Sequence, residues 1–125
     1  MSDDLIPVDV RNFILRHIDS IAQLEALLLL VHTPDEQWTA DKVADRLYIG
    51  AEEAKDVLAR LCSDGLISDT AGTHRFIGEP AAQRDVVERL SALYSRHLVP
   101  VTNLVHSKPA GIRAFAAAFK LRKDK

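Results

Sequence analysis

Five histidines, one cysteine and the adjacent pair Glu52-Glu53 are the residues best suited to chemistry here, and their spacing gives them none. His17, His32, His74, His97 and His106 are scattered along the chain, with no metal-ligand spacing to Cys62 or to paired carboxylates. Each isolated histidine reads as a helix-surface or half-buried residue. Neighbouring carboxylates on a helix point in different directions, so Glu52 and Glu53 make no acid–base pair. The chain has no glycine-rich phosphate loop and no nucleophile elbow around a serine. The expectation is a protein that is not an enzyme and uses no cofactor or metal. Cys62 has no second cysteine to bridge, which fits a reducing compartment. With no base beside it, it reads as a small buried hydrophobe.

Charge is the next candidate for chemistry, and it is unevenly placed. Residues 1–19 carry four acids against two bases, residues 20–78 ten against five, and residues 79–125 four against nine. An acidic front therefore precedes a basic tail, although the whole chain is only −2. Six of the tail's bases, Lys108, Arg113, Lys120, Arg122, Lys123 and Lys125, fall in its last eighteen residues.

The elements that must position these groups follow from periodicity. At 125 residues and 47% hydrophobic composition, the chain has room for one domain with a packed core. A first helix is expected from about Val8 to His17. Ser20, with Gln23 three residues on, reads as a capping box opening a second helix. That helix, with Ile21, Leu24, Leu27, Leu28 and Val31 in its stripe and Leu29 and Leu30 widening it, should sit at the centre of the core. Thr33-Pro34-Asp35 ends it. Thr39 caps a third helix carrying Val43, Ala44 and Leu47 inward, and Tyr48-Ile49-Gly50 makes a turn. The next helix spans Ala51 to Ser63 and buries Ala54, Val57, Leu58 and Leu61, with Gly65 at its left-handed end.

Two short strands, Leu66–Ser68 and His74–Ile77, are expected around a loop from Asp69 to Thr73. Pro80 is placed at the first position of a further helix, whose face is Val86, Val87, Leu90, Leu93, Tyr94, His97 and Leu98. Pro100 is expected to end it. A last helix begins near Pro109 and carries Ile112, Phe115, Ala116 and Phe119. The fold class expected is mainly α with a small β-hairpin.

In this order the elements resemble a winged helix-turn-helix with flanking N- and C-terminal helices, and most of all the MarR-like architecture of winged-helix regulators. At residue level the likeness is carried by TADKVADRLYIGAEEAKDVLARLCSDGLI, from Thr39 to Ile67. Ala44 and Leu47 occupy the usual core of the first helix of the motif, and Leu58, Leu61, Gly65, Leu66 and Ile67 match its helix-into-wing signature. The resemblance implies one domain in three parts: an N-terminal helix over 1–19, a winged-helix core over 20–78, and C-terminal helices over 79–125 that pair two copies. It also implies a homodimeric regulator of transcription that binds double-stranded DNA, with phosphate or base contacts from Lys42, Lys55, Arg60 and Arg75.

The charges on the implied recognition helix argue against that use. Its outward side reads Glu52, Glu53, Lys55, Asp56, Ala59, Arg60 and Ser63, where base-reading helices commonly carry Arg, Lys, Asn or Gln. The wing tip, Asp69 to Thr73, lacks a basic residue, and Arg75 is the one wing base besides His74. A second function is therefore expected alongside the first: a protein–protein interaction module that kept the fold and does not bind DNA specifically. The basic tail leaves three readings open: packing in a dimer core, a surface for phosphates or an acidic protein, and a helix lying on anionic lipid. Membrane spanning is not expected, because the longest apolar run, Ala26 to Val31, falls far short of the ~20 residues a bilayer requires. The N-terminus lacks the basic start of a signal peptide, so a soluble, cytoplasmic protein is expected.

Overall fold

The structure, a computed structural model, describes residues 5–107. Their element order is α1 (Val8–His17), α2 (Ile21–His32), α3 (Ala40–Leu47), α4 (Ala51–Ser63), β1 (Ile67–Thr70), β2 (Thr73–Phe76), α5 (Ala81–Arg96) and α6 (Leu98–His106). The last helix expected from Pro109, with the basic tail, lies outside the described residues.

α2 begins where Ser20 accepts a hydrogen bond from the Gln23 backbone N–H at 3.1 Å. Gln23 completes the cap in an unusual way. Its buried side chain accepts from the Asp19 N–H and donates to the His17 carbonyl, tying the α1–α2 junction. Leu24, Ala26, Leu27, Leu28 and Leu30 of α2 are all buried. α2 packs against α3, α4, α5 and β2, so it is the axis of the core. Val10, Phe13 and Ile14 of α1, Val43 and Ala44 of α3, and Val87 and Leu90 of α5 join the same cluster.

Helix-turn-helix geometry follows from α3 and α4. The Thr39 hydroxyl caps α3 by accepting from the Lys42 N–H. Tyr48 turns the chain in the left-handed region at φ 58°, and the Ile49 N–H closes back onto the Ala44 carbonyl. At its far end α4 finishes in a Schellman motif. Gly65 sits at φ 77°, its N–H bonds the Cys62 carbonyl, and the Leu66 N–H bonds the Leu61 carbonyl.

The hairpin that follows is the wing. β1 and β2 pair antiparallel in the register Ile67↔Phe76, Ser68↔Arg75, Asp69↔His74, Thr70↔Thr73. The tip is only Ala71-Gly72, both at positive φ, which is the arrangement of a type I′ turn. The strands thus extend further toward the tip than the expected loop from Asp69 to Thr73. Trp38, just before α3, makes a one-residue antiparallel bridge to His74 and adds a third, minimal strand beside β2.

Three expectations at the C-terminal side are corrected. Pro80 is the capping residue before α5 rather than its first helical residue. Pro100 does not end that helix. α5 stops at Arg96, His97 adopts a non-helical φ of −129°, and Pro100 lies in the first turn of α6. A first turn leaves backbone N–H groups without helical partners, so the missing proline N–H costs nothing there. Leu98, expected on the inward face of α5, instead begins α6 and is 52% exposed.

Candidate interaction surface

The two ends of α4 differ in how their charges are held. At the C-terminal end Arg60 lies between two carboxylates, with NH1 at 2.7 Å from Asp19 Oδ2 and Nε at 3.2 Å from Asp64 Oδ2. Asp64 Oδ2 also accepts from His17 Nδ1 at 3.0 Å, and the His17 ring packs against Phe13 with centroids 4.8 Å apart. α1, the start of α2 and the end of α4 are joined by this network.

The N-terminal end is open. Glu52, Glu53 and Asp56 are exposed on α4, as are Asp41 and Asp45 on α3. Lys55, the basic residue among these carboxylates on α4, has its ammonium 3.6 Å from Glu52 Oε1. Acids in a first turn complement the helix dipole, so they stabilise α4 whatever else they do. Tyr48 stands beside them in the turn and is 95% exposed.

Lys42, Lys55, Arg60 and Arg75 are therefore not one surface. Lys42 Nζ donates to the Gln37 carbonyl at 3.4 Å. Arg75 lies on the outer side of the wing in a shallow depression with Gln37, Ser68, Thr70 and Thr73. Lys42 and Arg75 thus border the same residue from two elements. Lys55 opens instead onto the groove between α4 and the hairpin, and Arg60 is turned toward the α1–α2 junction.

That groove holds what periodicity missed. Alternation along the hairpin puts Asp69 and His74 on the side facing α4, opposite Arg75. His74 is 8% exposed, which corrects the reading of every histidine as a surface or half-buried group. Its burial is tolerated because its backbone N–H and Nδ1 both reach the Trp38 carbonyl, at 2.8 and 3.0 Å. Trp38 is itself buried, with its indole N–H bonded to Thr33. The cross-strand pairing Asp69↔His74 was available from the alternation, had the hairpin register been known. Cys62 lines the same groove and is half-buried rather than buried. Burial, helped by the charge of Asp69, pushes its thiol up, so it stays protonated at neutral pH.

Other polar contacts serve the frame. Tyr94 donates to Glu25 across α5 and α2 at 3.0 Å, and burial with that bond pushes its phenol up to about 12. Arg89 is paired with Asp9 and Asp85, and its guanidinium holds the Asp9 carboxyl below the usual carboxylate range. A depression of about 570 Å³ lies between α1 and the start of α5 and is lined by Phe13, Pro80 and Val86, among others. Among the described residues no three His, Cys, Asp or Glu side chains come together as a metal site. No described helix is long and apolar enough to cross a membrane. No family model, curated protein or solved structure matches the chain.

Proposed function

We propose that this chain is a winged-helix module whose α4 face docks a protein segment rich in Lys and Arg, rather than reading base edges in DNA. The observation that carries this reading is the carboxylate face of Glu52, Glu53 and Asp56, whose one neighbouring ammonium, Lys55, is already beside Glu52. Phosphate neutralisation supplies most of the affinity in DNA binding, and a helix presenting carboxylates to the backbone forfeits it. Arg60 does not restore it, because Asp19 and Asp64 hold its guanidinium.

A second reading, a DNA-binding regulator of transcription, is favoured by one specific arrangement. Lys42 and Arg75 approach Gln37 from α3 and from the wing, on the two elements that flank a recognition helix. In both readings two copies pair through the flanking helices, and exposed Leu98 and Val99 at the start of α6 are apolar surface such pairing would cover.

One experiment separates the two. The full-length protein is offered fragmented genomic DNA at near-physiological salt, beside the double variant Lys42→Glu/Arg75→Glu. The docking reading expects no enriched sequence with either protein. Enrichment of a palindromic site by the parent, lost in the variant, would overturn it in favour of a dimeric regulator. Retention without enrichment, weakening steeply with salt, would place phosphate binding in the basic tail and leave α4 for protein.

A further inference from the structure

The turn between α3 and α4 needs a left-handed residue, but it does not need a tyrosine. Tyr48 ends α3 at φ 58° and ψ 44°, the conformation from which the Ile49 N–H reaches back to the Ala44 carbonyl. Glycine adopts it with no Cβ penalty and asparagine at little cost, whereas a bulky side chain there is an outlier. The other non-glycine residue at positive φ, Ala71, is small and belongs to the hairpin turn. Inward packing of the ring would offset the strain at Tyr48, yet Tyr48 is 95% exposed. Its ring and hydroxyl meet no partner among the described residues, where the aromatic contact is that of Phe13 with His17. Strain of this kind, left uncompensated inside the fold, marks a residue kept for what lies outside it.

The surroundings of the ring narrow the partner's chemistry. Tyr48 borders a depression of about 350 Å³ whose other lining residues are Glu36, Trp38, Lys42, Asp45 and Arg46. Two acids and two bases balance there, and the Lys42 ammonium is turned to the Gln37 carbonyl at 3.4 Å. Past Tyr48, on α4, stand Glu52, Glu53 and Asp56 with Lys55 alone among them, so the field on this side draws a cation. A guanidinium suits the ring best. It is planar, stacks on an aromatic face and keeps its edge N–H groups for a carboxylate, whereas an ammonium is compact and strongly hydrated. We propose that Tyr48 anchors the segment docked on α4 by stacking on one of its arginines, whose edge N–H groups Asp45 accepts. The proposal rests on the docking reading of α4 and specifies, within it, arginine over lysine. Arg46, exposed at the same depression, is a competing cation and opposes docking.

Fluorescently labelled octa-arginine and octa-lysine, titrated into the full-length protein at near-physiological salt, test this together with thermal unfolding of each variant. The parent is expected to hold octa-arginine roughly fivefold more tightly than octa-lysine, the scale of one exposed cation–π contact. Tyr48→Gly should remove that margin by weakening octa-arginine, and Tyr48→Phe should keep it. Arg46→Gln should tighten both peptides. Tyr48→Gly should also leave the melting temperature unchanged or higher, because glycine relieves the left-handed strain. A lower melting temperature in that variant would assign the ring to the fold and overturn the proposal. Equal affinity of the parent for the two peptides overturns it too, as does octa-arginine binding unaltered by Tyr48→Gly. Loss of both peptides in Glu52→Lys/Glu53→Lys, with no dependence on Tyr48, would sink the anchor and leave the docking reading in place. Binding of neither peptide by the parent would remove both, and duplex DNA held through Tyr48 would give the ring to a nucleic acid instead.

Discussion

The two ends of α4 carry similar numbers of charges and use them in opposite ways. At the C-terminal end Arg60, Asp64, Asp19 and His17 satisfy one another across three helices. At the N-terminal end Glu52, Glu53 and Asp56 face solvent with one lysine among them. Partly screened ion pairs at the C-terminal end cross-link separate elements. Carboxylates in a first turn fix nothing beyond the helix itself. Architecture is therefore concentrated at one end of this helix, and the proposed docking surface at the other. Sequence alone makes the ends look alike, since both read as alternating acids and bases.

The contrast can be broken most severely from within. Leu61, fully buried near the fixed end, should cost about 2–5 kcal/mol as Leu61→Ala, the range for emptying a packed site, and urea unfolding would measure it. A loss below that range would mean the α4 end is less tightly packed than its burial indicates. Gly65→Ala comes next. No atom beyond the adjoining residues lies within 4 Å of where its Cβ would stand, so the penalty, about 1–2 kcal/mol, comes from forcing an L-residue into the left-handed region. The smallest effects sharpen the comparison. Arg60→Gln should lose about 0.5–1 kcal/mol, because a pair with one partner 44% exposed is screened by water. Glu53→Gln, at the open end, should stay within about 0.5 kcal/mol of the parent in the same unfolding measurement. Equal losses for these two variants would erase the distinction between the ends.

Local signals were legible and distant partnerships were not. The bounds of α4 follow from its four-residue apolar stripe and from Gly65, both of which act within one or two turns. Ser20 and Thr39 were readable as caps for the same reason. The hairpin register was not, because four-residue strands offer too few alternations and Ala71-Gly72 is not the Asn-Gly or Asp-Gly pair that signals such a turn. Pro100 misled because a proline stops a helix from within but is tolerated in a first turn, and deciding between these requires knowing that His97 breaks the chain. The exposed acids of the candidate surface were visible in the helical spacing. Arg60's attachment to Asp19, forty-one residues away, and the burial of His74 under Trp38 depend on which elements meet. Spacing along one element carries no information about that.

Trp38 is the only tryptophan in the chain. Its carbonyl holds the wing through His74, and its indole N–H holds the end of α2 through Thr33. Tryptophan emission therefore originates at one of the joints between the wing and the core. The optical signal of this protein reports the seating of that joint, and a wing that lifts while the helices stay packed would change its colour before any helix melts.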